Sequence, residues 1–404
     1  MHKCRSCNSQ KINLILDLGN QPWCNDFLTK DRLGHEEIFP LRLCYCESCE
    51  LLQLDYTVPK EKMFLEHQYL SGITQTLIKH FYETARENKQ QFKLQSNDLI
   101  IDIGGNDGSQ LMQYQKLGLT NVVNVESASN ICKISKDNDV PTLNVFFNTD
   151  NIKLNFSENT ASLINASGVF FHLEELHSVI NAIKYVLSKD GVFIIQFMYA
   201  GAMIENDNFD TIYHEHLCYY TLRSLINLMK PYELDVFDAY QSDIHSGSII
   251  AKVCHSDSYY NIPTERFIRT LKQDHKYTID KFFLFAETVK NKKNDILDLL
   301  THLKDQGKKV YAYGAPAKGN TLLNYCGINH NHVIKAVEVN RFKIGKYLPG
   351  SHIPIVEESE KDIPDYYLLL SHNFVDEILA KNKHLLEKGV KFILPFPNAE
   401  IIDG

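Results

Sequence analysis

The sequence has no run of about 18 or more apolar residues, so it offers no transmembrane helix. Behind the Lys and Arg of the opening MHKCRSCNSQ there is no apolar stretch of the kind a signal peptide needs. A cytoplasmic address is the expectation. Basic charge is not in excess either. The 42 Lys and Arg stand against 50 Asp and Glu, for a formal net charge of -8, which gives no support for a nucleic-acid binder. Internal repeats and low-complexity tracts are lacking. What remains is an ordinary globular composition, 44% hydrophobic and 23% charged over 404 residues. That length exceeds one ordinary core and calls for two or three domains.

In a reducing compartment the ten cysteines are not expected to form disulfides. They crowd toward the N-terminus, which invites a metal reading. Cys4-x2-Cys7 and Cys46-x2-Cys49 are two knuckles, each presenting a pair of thiolates from one tight turn. Together they supply the four ligands of a closed tetrahedral zinc site. A closed site stabilises the fold and leaves no position for substrate. Cys44 is a spare beside the second knuckle.

From residue 98 the chain alternates strands and helices. Leu99–Ile103 is a short apolar run ending in Gly-Gly. Residues 122–126, 162–167 and 191–197 read as further strands, with helical spacing over 174–187 and a closing strand pair at 234–240 and 248–253. This rhythm implies βαβ units and a parallel sheet. Residues 263–306 read as a helical connector, and a second α/β unit follows, with strands at 309–313, 334–339, 366–370 and 392–395 and a helix over 317–325. Asp102 ends the first of these strands and is followed by Gly104, Asn106, Asp107 and Gly108. Glycine lets backbone approach a ligand closely. Glu126 ends the next strand, where a carboxylate can accept the two ribose hydroxyls of an adenosine group. Alone, this pattern fits a nicotinamide site almost as well as a methyl-donor site.

The densest cluster of titratable groups is Asp210-Thr211-Ile212-Tyr213-His214-Glu215-His216. Imidazole is the natural base near neutral pH, a carboxylate can fix its tautomer, and a tyrosine hydroxyl can donate to an oxyanion. Strand alternation would put Tyr213 and Glu215 on one face and the two histidines on the other. His172 and the turn His245-Ser246-Gly247-Ser248 add polar groups near the expected cleft.

Taken in order, these motifs resemble the bacterial sugar C-methyltransferases that make branched deoxysugars for antibiotics and surface polysaccharides. LDLGNQPWCNDF and PLRLCYCESCELLQL look like that family's zinc-binding module. HQYLSGITQTLIKHF looks like its linker, IDIGGNDGS like its donor turn, and FDTIYHEHLCYY with HSGSI like its active-site segments. VYAYGAPAKGNTLLNYCGI and KIGKYLPGSHIPI look like its C-terminal unit. The resemblance implies an α/β fold in three parts. Residues 1–73 would be the zinc-binding module, 74–260 a Rossmann-like class I methyltransferase domain, and 261–404 a C-terminal half-Rossmann domain with its connector. It implies S-adenosylmethionine as methyl donor, structural Zn2+, and a nucleoside-diphosphate 4-keto-6-deoxyhexose methylated at C3 through an enolate. By matching position His216 looks like the general base and Glu215 and Tyr213 like its partners. Tyr69 looks like a further cleft tyrosine, with His172 and His245 at polar cleft positions. Asp102, Gly104, Asn106, Asp107, Glu126 and Ser167 are the expected donor contacts. The expected partner is the nucleotide-linked keto-sugar, carried on thymidine or guanosine diphosphate, with no nucleic acid, no membrane and a monomeric chain.

Two positions depart from the family pattern: Ser167-Gly168 stands where a pair of asparagines is common, and Gln196 where an acidic residue is common. Rival readings are a sugar O-methyltransferase, a nicotinamide-dependent sugar dehydrogenase or epimerase, and a non-enzymatic docking protein. The turn at 314–319, GAPAKG, lacks the G-x-G-x-x-G spacing of a dinucleotide site; it reads as packing, or as a phosphate contact through Lys318. A docking protein leaves the cluster at 213–216 without a use.

Overall fold

Leu99–Ile103 is buried on both faces, which is why its apolar run does not alternate. It is an inner strand of the largest sheet in a computed structural model that describes residues 3–64, 71–73, 75–244, 247–359 and 361–403. The strands in chain order are β1 (Ile12–Pro22), β2 (Ile38–Cys46), β3 (Leu52–Leu54), β4 (Leu99–Ile103), β5 (Val122–Val125), β6 (Thr142–Leu143), β7 (Ala161–Ser167), β8 (Leu187–Met198), β9 (Cys218–Tyr219), β10 (Leu234–Ser242), β11 (Ser248–His255), β12 (Val310–Tyr313), β13 (Ala336–Glu338), β14 (Ile355–Glu357), β15 (Tyr366–Leu369), β16 (Lys391–Leu394) and β17 (Glu400–Ile402).

They form three sheets. The first, in the order β1-β2-β3-β9, is antiparallel and carries the N-terminal cysteines. Its last strand is borrowed from far along the chain, through the pairs Leu52↔Tyr219 and Gln53↔Cys218. The second has the order β10-β11-β8-β7-β4-β5-β6. Its strands from β6 to β8 run parallel, and β11 and β10 close it antiparallel. The strand order reverses between β4 and β7, so the crevice for a ligand opens beyond their carboxyl ends. The helix Leu176–Val186 covers this sheet with Leu176, Val179, Ile180, Ile183 and Val186 buried, the spacing of one helical face. The architecture is that of a class I methyltransferase domain.

The connector is two helices, Glu265–Asp274 and Ile279–Asp305. Thr264 caps the first by accepting from the Phe267 amide. The second, 27 residues long, buries Phe282, Phe285, Val289, Ile296 and Leu300. Its Phe282 ring meets Tyr45 of β2 at 5.6 Å, tying connector to cysteine module. The third sheet, β14-β13-β12-β15-β16-β17, is parallel except at β17 and reverses its order at β12 and β15.

One buried ionic network braces the central domain. Asp238 is wholly buried on β10 and accepts from Thr264 Oγ1 at 2.6 Å and Arg266 Nε at 2.7 Å. Lys252, buried on β11, reaches Glu87 Oε1 at 2.9 Å and Asp238 Oδ2 at 3.9 Å.

Candidate active site

The cysteine module brings its four thiols together. Cys4 Sγ lies 3.5 Å from Cys49 Sγ and Cys7 Sγ 3.6 Å from Cys46 Sγ, and all four lie within 4.8 Å of one another. A tetrahedron of zinc–sulfur bonds has edges of about 3.8 Å, so the donor set fits Zn2+. Cys44, the spare, is not in the group. The Cys49 carbonyl accepts from Asn227 Nδ2 at 3.1 Å, which joins the module to the central domain.

Beyond the carboxyl ends of β4, β5 and β7 lies an open cleft. Gly104, Asn106, Glu126 and Ser167 line it, with Phe64, Phe146, Phe147, Leu173 and Val179 as apolar wall and His172 on its rim. A cleft with apolar walls and the Glu126 carboxylate at the end of β5 suits an adenosine group. Glu126 reaches back to the glycine turn: Oε2 accepts from the Asn106 amide at 3.1 Å and Oε1 from the Ala128 amide at 2.8 Å. Gly104 has φ +59°, and a Cβ there would stand 2.7 Å from Val169 Cγ2, so both backbone and space require glycine.

Two expected donor residues sit outside the cleft lining. Asp102 is buried beneath the turn, where burial and then the Glu126 charge push its carboxyl well above the ordinary range. Its Oδ2 lies against the glycine turn, 2.7 Å from where a Cβ on Gly105 would stand. Asp107 accepts from the Gly72 amide at 2.8 Å and the Ser109 amide at 3.2 Å. It anchors the linker and the start of the Ser109–Lys116 helix.

The segment 212–217 is a loop, and strand alternation does not hold there. Tyr213 and His216 pack at a tilt of 37° with ring centroids 3.8 Å apart, whereas His214 turns away and packs its edge on Phe39 at 5.8 Å. A turn at 214–215 reverses the chain, and the His216 amide bonds to the Tyr213 carbonyl at 2.9 Å. Buried His214, held near the Phe39 carbonyl at 3.3 Å, belongs to the contact with the cysteine module; burial lowers its pKa.

His216 Nδ1–H donates to the Thr211 carbonyl at 2.9 Å. A carbonyl only accepts, so Nδ1 carries the proton and Nε2 is the basic nitrogen of the neutral ring. His172 is held the same way, Nδ1 to the Glu215 carbonyl at 2.6 Å. Burial and then the Glu215 charge push the Tyr213 hydroxyl well above its ordinary range, so it remains a donor at neutral pH. Glu215 Oε1 accepts from Trp23 Nε1 at 2.7 Å and Asn25 Nδ2 at 2.6 Å.

The C-terminal unit reaches the same loop. His372 Nε2 lies 2.8 Å from Asp210 Oδ2 and 2.9 Å from Lys318 Nζ. Burial raises the Asp210 carboxyl, but Lys318 and His372 outweigh it and hold it below the usual range. Burial lowers the Lys318 ammonium against the opposing pull of Asp210. Trp23, Asn25 and His372 each lie over 150 positions from their partners, and although Trp23 and Asn25 fall in LDLGNQPWCNDF, nothing in that stretch names Glu215 as what they hold. Of the two departures from pattern, Ser167 lines the cleft and Gln196 Oε1 pairs with His80 Nε2 at 2.7 Å. Tyr69 and His245 lie outside the described residues. No helix among the described residues is long and apolar enough to cross a membrane.

Three family models match the chain: "Putative zinc binding domain" over residues 4–64, "Methyltransferase domain" over 76–239 and "C-methyltransferase C-terminal domain" over 243–397. The C-methyltransferase NovU of Streptomyces niveus is 29% identical over 408 residues, covering 100% of this chain and 97% of that one. The mitochondrial arginine-hydroxylase NDUFAF5 of Mus musculus is 31% identical over 109 residues, 27% of this chain and 29% of that one. Among solved structures, a geranyl diphosphate methyltransferase in complex with SAM aligns with 46% of this chain and 92% of its own, at 9% identity and a TM-score of 0.35.

Proposed function

Because the chain belongs to a C-methyltransferase family that joins an N-terminal zinc-binding domain, a methyltransferase domain and a C-terminal C-methyltransferase domain, we propose that it methylates C3 of a nucleoside-diphosphate 4-keto-6-deoxyhexose. The methyl donor of this fold is S-adenosylmethionine, which supplies an electrophilic methyl group to a carbon nucleophile.

The observation that carries the reading is the His216 tautomer. With Nδ1–H spent on the Thr211 carbonyl, Nε2 accepts the proton from C3, and the C–H electrons pass into an enolate. The 4-keto group makes that proton acidic. Tyr213, kept protonated by burial, donates to the growing enolate oxygen. The carbon nucleophile then forms its bond to the methyl carbon as the sulfur–carbon bond breaks. His172 stands between the two halves of the site: it lines the donor cleft, and its ring is 5.0 Å from that of His216. The reading calls for no nucleic acid, membrane or second subunit.

The test is mass spectrometry after incubation with S-adenosylmethionine and a panel of nucleotide sugars. The panel holds 4-keto-6-deoxy sugars on thymidine and guanosine diphosphate, each beside its 4-hydroxy counterpart. A gain of one methylene unit on a keto-sugar alone supports carbon methylation and names the carrier. A gain on the hydroxy sugars as well would replace it with O-methylation.

A further inference from the structure

The cysteine module contributes more than a metal site. After β1 the chain turns through residues 23–25, and two side chains of this strap converge on one atom. Trp23 Nε1 and Asn25 Nδ2 donate to Glu215 Oε1 at 2.7 and 2.6 Å. A carboxylate is planar, so two donors on one oxygen fix the position of that oxygen and the direction in which the other faces. Between the two donors, the Cys24 carbonyl accepts from Asn320 Nδ2 at 2.6 Å. The same Ala317–Cys326 helix sends Thr321 Oγ1 to the Ile212 carbonyl at 3.1 Å, at the start of the catalytic loop. The strap and the loop it grips are thus pinned from one element.

We propose that Trp23 and Asn25 are positioning residues for methyl transfer, which hold Glu215 from the cysteine module so that its Oε2 faces the acceptor substrate. The proposal rests on the keto-sugar reading only for what the acceptor is. The grip on Glu215 needs no hydroxyl or imidazole from the catalytic cluster, and nothing else assigns the strap a part in the reaction.

The test compares Trp23→Phe and Asn25→Ala in the zinc-loaded full chain, each alone and combined with Glu215→Ala. Each single change is expected to lower kcat roughly 10- to 100-fold, as a misplaced catalytic group does, with KM for S-adenosylmethionine unchanged. Combined with Glu215→Ala, neither should add more than about a twofold loss, since residues acting through one another are not additive. Full losses in the Glu215→Ala background, or wild-type kcat in the single variants, would overturn the proposal. A second readout needs no acceptor. Trp23 is the sole tryptophan, so Glu215→Ala should shift the emission maximum at unchanged zinc content, and an unaltered spectrum would remove the contact. A wild-type chain inert on every keto-sugar would sink the substrate reading, and the clamp would then stand or fall on the emission shift.

Discussion

His172 and His216 stand with ring centroids 5.0 Å apart, one lining the cleft beyond the central strands and the other packed against Tyr213. In the proposed reaction this pair bridges the donor cleft and the base. His216→Ala should therefore lower kcat by roughly 10²–10⁴-fold, the range for loss of a general base, while donor affinity by calorimetry stays at the wild-type value. A variant that turns over normally would remove His216 from the reaction.

Tyr213→Phe keeps the ring that His216 packs against and deletes only the hydroxyl. Loss of a donor to a developing oxyanion lowers kcat by roughly 100-fold or more. The melting temperature should hardly move. A large fall in melting temperature with little effect on kcat would make the hydroxyl structural.

Gly104→Ala tests the donor turn. The residue sits at φ +59° with Val169 Cγ2 only 2.7 Å from where the methyl would go. Strain at such a position costs on the order of 1–3 kcal/mol, and relief requires the turn to shift. S-adenosylmethionine binding should weaken at least tenfold, roughly 1.4 kcal/mol; wild-type affinity in a folded variant would show that the turn does not touch the donor.

Acid should reach the Asp238 network only below the pH at which ordinary carboxylates take up protons. Burial raises the Asp238 carboxyl, but hydrogen bonds from Arg266 and Thr264 outweigh it and hold it below the ordinary range. A carboxylate lowered in the folded state contributes stability above its unfolded pKa of about 3.9 and loses it as pH falls through the folded value. Asp238→Asn should cost about 3 kcal/mol at pH 7, as breaking one side of a buried pair does. That deficit should shrink below pH 4, as followed by urea unfolding across pH; a constant deficit would contradict the ionic account.

Removal of zinc should be felt in the catalytic loop as well as in the module. β9 begins two residues after His216, and it is the edge strand of the cysteine module's sheet. Chelation, or Cys46→Ala, is expected to lower melting temperature and kcat together. Full activity in a zinc-free chain would separate the module from the site.

The sequence shows the central sheet well because its signals are local. Short apolar runs at Leu99–Ile103 and 191–197, bounded by glycine, read as buried strands, and a glycine turn followed by Glu126 marks one end of the sheet. The candidate catalytic cluster is also compact in sequence, since Tyr213, Glu215 and His216 lie within four positions. Their arrangement is not legible there. Period two places His214 beside His216, and the turn at 214–215 sends it to Phe39 instead. The strands of the cysteine module escape notice because β1 does not alternate cleanly and β3 is three residues long. Contacts such as Trp23 to Glu215 or His372 to Asp210 depend on how three units pack, and neither partner's neighbours carry any trace of it.

The borrowed strand also dictates an order of assembly. All four thiolates are present once residue 49 has been made, so metal can load while most of the chain is still unsynthesised. The sheet around that metal waits for Tyr219 to meet Leu52. A growing polypeptide must carry an unfinished edge past the whole parallel part of the central sheet, and an unpaired edge invites wrong partners. A version of this protein cut between its cysteine module and its central domain would leave both fragments with that edge open.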